Sequence, residues 1–178
     1  MERYPLPPVA ELGLYDCGLT DADWIFMTSR SDFALRELVV SSTLPFPPTL
    51  SLYAFILKQA PSLESLSLKY LTLMPNQVSD LITSVAQFNA LQHLHVSYNH
   101  LDLVSMLNIL LAFMPIASAE KLELEVPDVM PEMDMLHSYL LTQMKTFCAL
   151  NRRLPIHLSL IDHPSQVEET HVLTAWPN

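Results

Sequence analysis

Two histidines and two glutamates come closest, among the residues of this chain, to a set that could do chemistry. His93 and His95 are separated by one residue, as are Glu123 and Glu125, and Glu123 follows His95 by 28 positions. Two imidazoles and a carboxylate form a ligand set that binds zinc, and bound zinc activates water for hydrolysis. One hypothesis is therefore a metal-dependent enzyme that uses His93, His95 and Glu123.

A polar protein surface accounts for the same residues more simply. Side chains on a strand point alternately to opposite faces, so every second residue of a half-buried strand is exposed and polar. Histidine and glutamate on neighbouring strands then form ordinary cross-strand pairs. We favour this interpretation and predict no catalytic residue, no metal site and no cofactor site.

The remaining nucleophiles and glycines do not form a recognised catalytic or phosphate-binding motif. Cys17 and Cys148 are the two cysteines, and their wide separation predicts reduced thiols rather than a disulfide framework. Gly13 and Gly18 are the two glycines, too few for a P-loop or a dinucleotide-binding fingerprint. No serine lies in a G-x-S-x-G motif. The sequence thus predicts a protein that is not an enzyme.

The elements that must position these side chains repeat along the chain. Five segments share one frame and begin near residues 9, 35, 63, 91 and 119. Their fourth positions are leucines spaced by 26, 28, 28 and 28 residues: Leu12, Leu38, Leu66, Leu94 and Leu122. A sixth, irregular copy lies in the segment LPIHLSLID and ends near residue 161. Such a period predicts a stack of similar units.

Each unit changes its hydrophobic period from that of a strand to that of a helix. The first half alternates apolar and polar residues, as in SLSLK from residue 65, and the second half has apolar residues three and four apart. Predicted helix starts are an N-cap at Asn76, an N-cap at Asp102 and a capping box of Thr20 and Asp23. A longer helix is expected near residues 131–151. This alternation predicts an α/β fold.

The segments LQHLHVSYNHL, from Leu91, and VAELGLYDCGL, from Val9, resemble the leucine-rich-repeat family, whose pattern is L-x-x-L-x-L-x-x-N/C-x-L. Asn99 and Cys17 occupy its asparagine or cysteine position, which Thr43, Leu71 and Pro127 fill in the other units. The 28-residue period resembles the ribonuclease-inhibitor-like subclass. The resemblance implies a right-handed solenoid, or horseshoe, with a parallel concave sheet of about six strands and convex helices. It also implies that the Cys17 thiol is buried.

The frame predicts which side chains reach the concave surface. If the fourth and sixth positions of each unit point inward, the third, fifth and seventh point outward. The resulting candidate partner-binding residues are Glu37, Ser65, Ser67, Lys69, His93, His95, Ser97, Lys121, Glu123 and Glu125. Because neighbouring strands lie about 4.8 Å apart, His95 is expected beside Glu123, and Glu123 beside His157.

The resemblance implies a protein-protein interaction module that binds a partner protein through the concave face. Within the family, the irregular period and low glycine content resemble the repeat regions of F-box-type substrate receptors, which are parts of ubiquitin-ligase adaptors. The repeats of nucleotide-binding receptors are similar. A structural fragment of a larger repeat protein is a further hypothesis, since the first unit begins at Val9 with almost nothing to cover its open end.

Charge argues against two classes of partner. Nine basic residues against nineteen acidic ones give a net charge of -10, which repels nucleic-acid phosphates and anionic lipid headgroups. We therefore predict no nucleic-acid and no membrane partner. The first residues do not resemble a secretion signal, so a cytoplasmic or nuclear location is expected.

The domain boundaries follow from the repeats. One leucine-rich-repeat domain is expected over residues 1–163, followed by a tail over residues 164–178. The tail has no periodic face and is expected to be loosely held. A stripe on the predicted long helix is expected to be its core face: Met133, Leu136, Leu140, Met144 and Phe147.

Overall fold

A computed structural model of the chain describes residues 8–30, 33–42, 49–99, 101–125, 157–161 and 171–174, together with Tyr139, Thr142, Gln143 and Thr146. The elements in chain order are β1 (Val9–Tyr15), α1 (Asp21–Ser29), β2 (Phe33–Ser41), α2 (Leu50–Lys58), β3 (Ser65–Lys69), α3 (Pro75–Val85), β4 (His93–Ser97), α4 (Leu103–Phe113), β5 (Lys121–Glu125), β6 (His157–Ile161) and β7 (His171–Thr174). Within these ranges, no helix combines the length and the apolar character that a membrane crossing requires.

The strands form one sheet in which each strand pairs with its neighbours in chain order. The pairs from β1 to β6 are parallel, and β7 pairs antiparallel with β6. The leucines at the fourth position of each unit align across the sheet, from Leu12 through Leu38, Leu66 and Leu94 to Leu122. The predicted α/β class and parallel sheet are confirmed.

The core lies between the sheet and the helices. The aligned leucines from Leu38 to Leu122 are buried in one cluster with helix side chains such as Phe55, Leu81 and Leu110. Burying one such side chain contributes about 1.5 to 3 kcal/mol. A single strand and helix cannot bury an apolar face on both sides, so each unit depends on its neighbours.

Two predicted helix starts are confirmed. The carboxylate of Asp102 accepts a hydrogen bond of 2.7 Å from the backbone N–H of Ser105, which lowers the pKa of the Asp102 carboxyl. The Asp23 carboxylate accepts hydrogen bonds of 2.8 Å from the backbone N–H of Thr20 and 2.6 Å from its hydroxyl. Both arrangements satisfy polar groups that a helix start leaves unpaired.

The predicted N-cap at Asn76 is wrong. Helix α3 begins at Pro75, and its N-cap is Met74, two residues before the predicted N-cap. Proline suits the first helical position because its missing N–H would have no partner there. The side-chain oxygen of Gln77 accepts a hydrogen bond of 2.7 Å from the backbone N–H of Met74 and completes this start.

The C-terminal part of the chain adds one strand to the sheet. Within residues 164–178, which were expected to be a loosely held tail, His171–Thr174 form β7 against β6. The long helix expected near residues 131–151, its apolar stripe and Cys148 lie outside the described residues, apart from four helical positions between 139 and 146.

Candidate functional site

The sheet face turned away from the helices, which we call the outer face, carries the third, fifth and seventh positions of the units. His95 and Glu123 are register partners on β4 and β5, as predicted. The predicted pairing of Glu123 with His157 is wrong, because Glu123 aligns with Ser159 and Lys121 aligns with His157. Because the shift is two residues, the strand alternation is unchanged, and the leucines of β6 still align with those of β5.

Strand alternation in β4 and β5 positions the outer-face side chains. Leu94 and Val96 on β4, and Leu122 and Leu124 on β5, are buried in the core. The residues between them must therefore point to the opposite face of the sheet. This places the segments HLHV and KLEL side by side, with the polar side chains of both on the outer face.

His95 is the centre of a polar network on this face. Its Nδ1 lies 3.1 Å from Oε2 of Glu123, and its Nε2 lies 2.7 Å from the hydroxyl of Ser97. The other carboxylate oxygen of Glu123 lies 2.7 Å from Nζ of Lys121. We call these four residues the His95 network. The side chains of His95 and Glu123 are 19% and 22% exposed, so their contact is largely shielded from water.

The His95 network stabilises the ionised form of Glu123. The hydrogen bond from His95, together with the contact from Lys121, lowers the pKa of Glu123 to about 2, although burial of the carboxyl acts in the opposite direction. Hydrogen bonds to charged groups are roughly twice as strong as neutral ones. Glu123 is therefore a fixed negative charge at neutral pH, held between two donors.

The donor atoms do not converge as a metal site requires. Nε2 of His93 lies 3.6 Å from a carboxylate oxygen of Glu120, and both ring nitrogens of His95 already have partners. A zinc site needs three or four donors at about 2.0 to 2.3 Å from one point. Across the described part of the chain, no three His, Cys, Asp or Glu side chains are grouped to hold a metal ion. This geometry does not support a metal-dependent enzyme that uses His93, His95 and Glu123.

The order Ser97, His95, Glu123 resembles the hydrogen-bond order of a hydrolytic triad, in which a hydroxyl, an imidazole and a carboxylate follow one another. No sequence motif predicted it, because the three side chains come from two strands. A nucleophile must be reachable by its substrate, however, and Ser97 is 0% exposed. The Ser97 hydroxyl therefore holds the His95 ring in place instead of facing a substrate.

Burial changes the set of candidate partner-binding residues. Ser97 and Ser67, both predicted to contact a partner, are buried at 0% and 8% exposure. Both serines align with larger residues on neighbouring strands, Ser67 with Val39 and His95, and Ser97 with Lys69. The side chain of Glu125 lies outside the described residues. The other candidates are exposed or partly exposed: Glu37, Ser65, Lys69, His93, His95, Lys121 and Glu123.

The buried side chain of Asn99 joins two successive units at the end of β4. Its oxygen accepts a hydrogen bond of 2.7 Å from the backbone N–H of Leu71, which occupies the same position one unit earlier. Its NH2 group donates to the backbone oxygens of Leu68 at 2.8 Å and Ser97 at 2.9 Å. One amide thus fixes the turn of two units and the backbone of a residue in the His95 network.

Two tyrosines stack where β3 and β4 end. The rings of Tyr70 and Tyr98 are nearly parallel, with centroids 4.3 Å apart. Both residues, like Asp16 at the same position of the first unit, have a positive φ of 50° to 58°. A side chain in this conformation costs about 1 kcal/mol or more, so its neighbours must hold it there. The sequence frame did not predict this aromatic pair.

The predicted burial of Cys17 is wrong, because its side chain is exposed. Asn99, in the same position of the fourth unit, is covered by the preceding unit through Leu68 and Leu71. Cys17 belongs to the first unit, and residue 8 is the one described residue before that unit. Its thiol contacts the backbone oxygen of Tyr15 at 3.4 Å.

The outer face thus offers hydrogen-bond donors, acceptors and both signs of charge, without a converging set of metal ligands among the described residues, and the Ser97 hydroxyl beside His95 is buried. No protein-family model matches the chain, and comparisons with curated proteins and with solved structures give no match.

Proposed function

We propose that this chain is a protein-protein interaction module of the leucine-rich-repeat type, and that the outer face is the concave face on which a partner protein binds. The observation that carries the proposal is the Asn99 amide, which bonds to Leu71 28 residues earlier and to Leu68. The family pattern has an asparagine at this position, and a link between equivalent turns is what a stack of repeats requires.

The His95 network supports the outer face as the binding surface. Its side chains are already hydrogen-bonded to one another, so a partner loses little affinity to the ordering of flexible groups. Lys121 and Glu123 present opposite charges at fixed positions, and such groups favour a partner with the complementary pattern. The pre-formed hydrogen bonds and the fixed opposite charges both fit a surface that binds a partner without catalysing a reaction.

The finer assignment rests on the sequence resemblance. According to this finer assignment, the module is the substrate-recognition part of an F-box-type ubiquitin-ligase adaptor in the cytoplasm or nucleus. The irregular period and the count of two glycines support this assignment. Its test is the lifetime of the partner, which should shorten when this protein is overproduced. A lifetime that does not respond would contradict the adaptor role and leave the binding role to be tested by itself.

Affinity capture with matched variants tests the binding face. We expect Lys69→Ala, His95→Ala and Glu123→Ala each to weaken capture of the partner about fivefold or more, since truncating a central contact costs over about 1 kcal/mol. Gln87→Ala on the helix side is the control, because this exposed side chain bonds only within its own helical region, to the backbone of Thr83. Gln77 is unsuitable as a control since it completes the start of α3.

Melting curves decide whether a loss of capture reflects binding or folding. The three outer-face variants should melt within a few degrees of the wild type, because partly exposed positions contribute little to the core. Capture that is lost from Gln87→Ala and retained by all three outer-face variants would place the interface on the helices and refute the proposal.

A further inference from the structure

The eighth residues of the units form a column at the edge of the sheet where the strands end. Its members from the first to the fourth unit are Asp16, Ser42, Tyr70 and Tyr98. The first three each donate the backbone N–H to the oxygen of the seventh residue in the next unit, at 2.9 to 3.3 Å: Asp16 to Ser41, Ser42 to Lys69, and Tyr70 to Ser97. The column therefore follows the strand spacing of about 4.8 Å.

The stacked rings of Tyr70 and Tyr98 occupy two steps of this column. Their planes differ by 4°, and their centroids lie 4.3 Å apart, close to one strand spacing. The stacking therefore runs along the column, so that Tyr98 covers one face of the Tyr70 ring and the other face is turned toward the Ser42 step. Tyr70 is 39% exposed, which leaves it accessible to a ligand.

Both tyrosines have a left-handed backbone, with φ of 58° at Tyr70 and 57° at Tyr98. Glycine, asparagine and aspartate adopt this conformation with the least strain, whereas a bulky side chain adopts it only where its surroundings hold it. Such strain gathers at functional sites. The column thus keeps two large rings at positions where a smaller residue would suit the backbone better, which favours a role for the rings in binding.

Ser42 separates the two rings from Asp16 in this column. Its side chain is much shorter than a tyrosine ring, so a planar group that lies over Ser42 is about 4.8 Å from the Tyr70 ring on one side and one strand spacing from Asp16 on the other. A cation within about 6 Å of a tyrosine centroid is attracted by the ring. The Asp16 carboxylate attracts a cation as well, and so does the net charge of -10 of the whole chain.

We propose that the step between Tyr70 and Asp16 binds an arginine side chain of another protein. The planar guanidinium stacks on the Tyr70 ring as the third member of the stack, and Asp16 attracts its charge. Lysine fits less well, because its ammonium group is a compact, strongly hydrated point charge. Lys69 also lies at this edge and repels either cation to the same extent, so the stacking decides the preference for arginine.

The binding side chains, Tyr70 and Asp16, are not members of the His95 network. The proposal therefore goes beyond the proposed function, and it is tested without a partner protein.

Two derivatives of equal charge, N-acetylargininamide and N-acetyllysinamide, test the proposal on the full chain. Proton NMR of the tyrosine rings follows the titration, because a stacked group shifts the signals of the ring that it covers. We expect the arginine derivative to shift the Tyr70 ring protons and to bind about threefold more tightly than the lysine derivative, as a cation–π contact at an exposed site provides. Equal affinities, or tighter binding of N-acetyltyrosinamide to the Tyr70 ring, would overturn the proposal.

Variants at Tyr70 assign the preference to the ring. Tyr70→Asn removes the ring and suits the left-handed backbone, so this variant should fold and lose the threefold preference. Tyr70→Phe keeps the ring and should retain the preference, whereas Asp16→Asn should weaken the binding of both cations about equally. A preference that survives in folded Tyr70→Asn would overturn the proposal. If Tyr70→Asn does not fold, the wild-type spectra decide, because arginine-dependent shifts that leave the Tyr70 ring unaffected would overturn it as well.

Discussion

Replacing Asn99 by alanine tests whether one amide joins two units of the stack. The side chain is 1% exposed and makes three hydrogen bonds to the backbone of Leu71, Leu68 and Ser97. Alanine removes all three. The N–H of Leu71 and the C=O of Leu68 then lose this partner at a position that water does not reach in the folded protein.

The expected magnitude follows from these bonds. A buried hydrogen bond contributes about 1 kcal/mol net, and a buried polar group left without a partner costs about 1 to 3 kcal/mol. We therefore expect the free energy of unfolding of Asn99→Ala to fall by about 3 kcal/mol. For a domain of this size, that loss lowers the melting temperature by about 6 to 12 °C.

Urea unfolding followed by circular dichroism measures this loss. Asn89→Ala is the matched control, because Asn89 is exposed and surface substitutions change stability by about 0.5 kcal/mol or less. Asn99→Asp retains an acceptor for Leu71 but loses both donated bonds and buries a charge, so it should be at least as unstable. If Asn99→Ala unfolds at the same urea concentration as Asn89→Ala, the amide does not join the units and the reasoning is refuted.

Three further predictions concern the core, the first unit and pH. Leu66→Asp or Leu94→Asp buries a carboxylate without a partner at a cost of several kcal/mol, so calorimetry should show no cooperative transition; soluble, cooperatively melting protein would contradict the repeat frame. Removal of residues 1–30 uncovers β2 and should give aggregates in light scattering, whereas a monodisperse monomer would show that the first unit is dispensable. Because the pKa of Glu123 is lowered from 4.5 to about 2, its stabilisation is present above pH 4.5 and is lost as the pH falls toward 2. Urea titrations should therefore find Glu123→Gln less stable than the wild type by about 1 kcal/mol at neutral pH and equally stable near pH 2. Glu37→Gln, at an exposed position, is the matched control, and a stability gap that persists in acid would contradict the assignment.

The sheet was predictable from sequence because two independent periods agree. The strand alternation decides which residues are buried, and the 28-residue spacing decides which residues align. A slip of one residue would turn every leucine of a strand to the outer face, so the register of Leu38, Leu66, Leu94 and Leu122 is strongly specified. The neighbours His95 and Glu123 follow from that register without further information.

Features that depend on a single residue or on side-chain size were not predictable. The register of β6 was misplaced by two residues, a shift that the alternation does not detect. Ser67 and Ser97 are buried although strand alternation places both on the outer face, so the alternation does not predict their burial. The contact between Ser97 and His95 likewise depends on a rotamer, and the strand pattern specifies only that both side chains share a face.

Within the proposed function, Glu123 and Lys121 are where binding energy can arise on the outer face. A partner that covers Glu123 meets a carboxylate that already has a hydrogen bond from His95 and an ion pair with Lys121, so it does not bury an unpaired ion. Lys121 keeps 41% of its side chain exposed while Glu123 holds its ammonium group at 2.7 Å. A partner acceptor that binds this ammonium therefore contacts a cation whose position is set before binding. Within the proposed function, Glu123 acts by positioning Lys121 and His95, and the loss of its carboxylate should weaken binding through both of them at once.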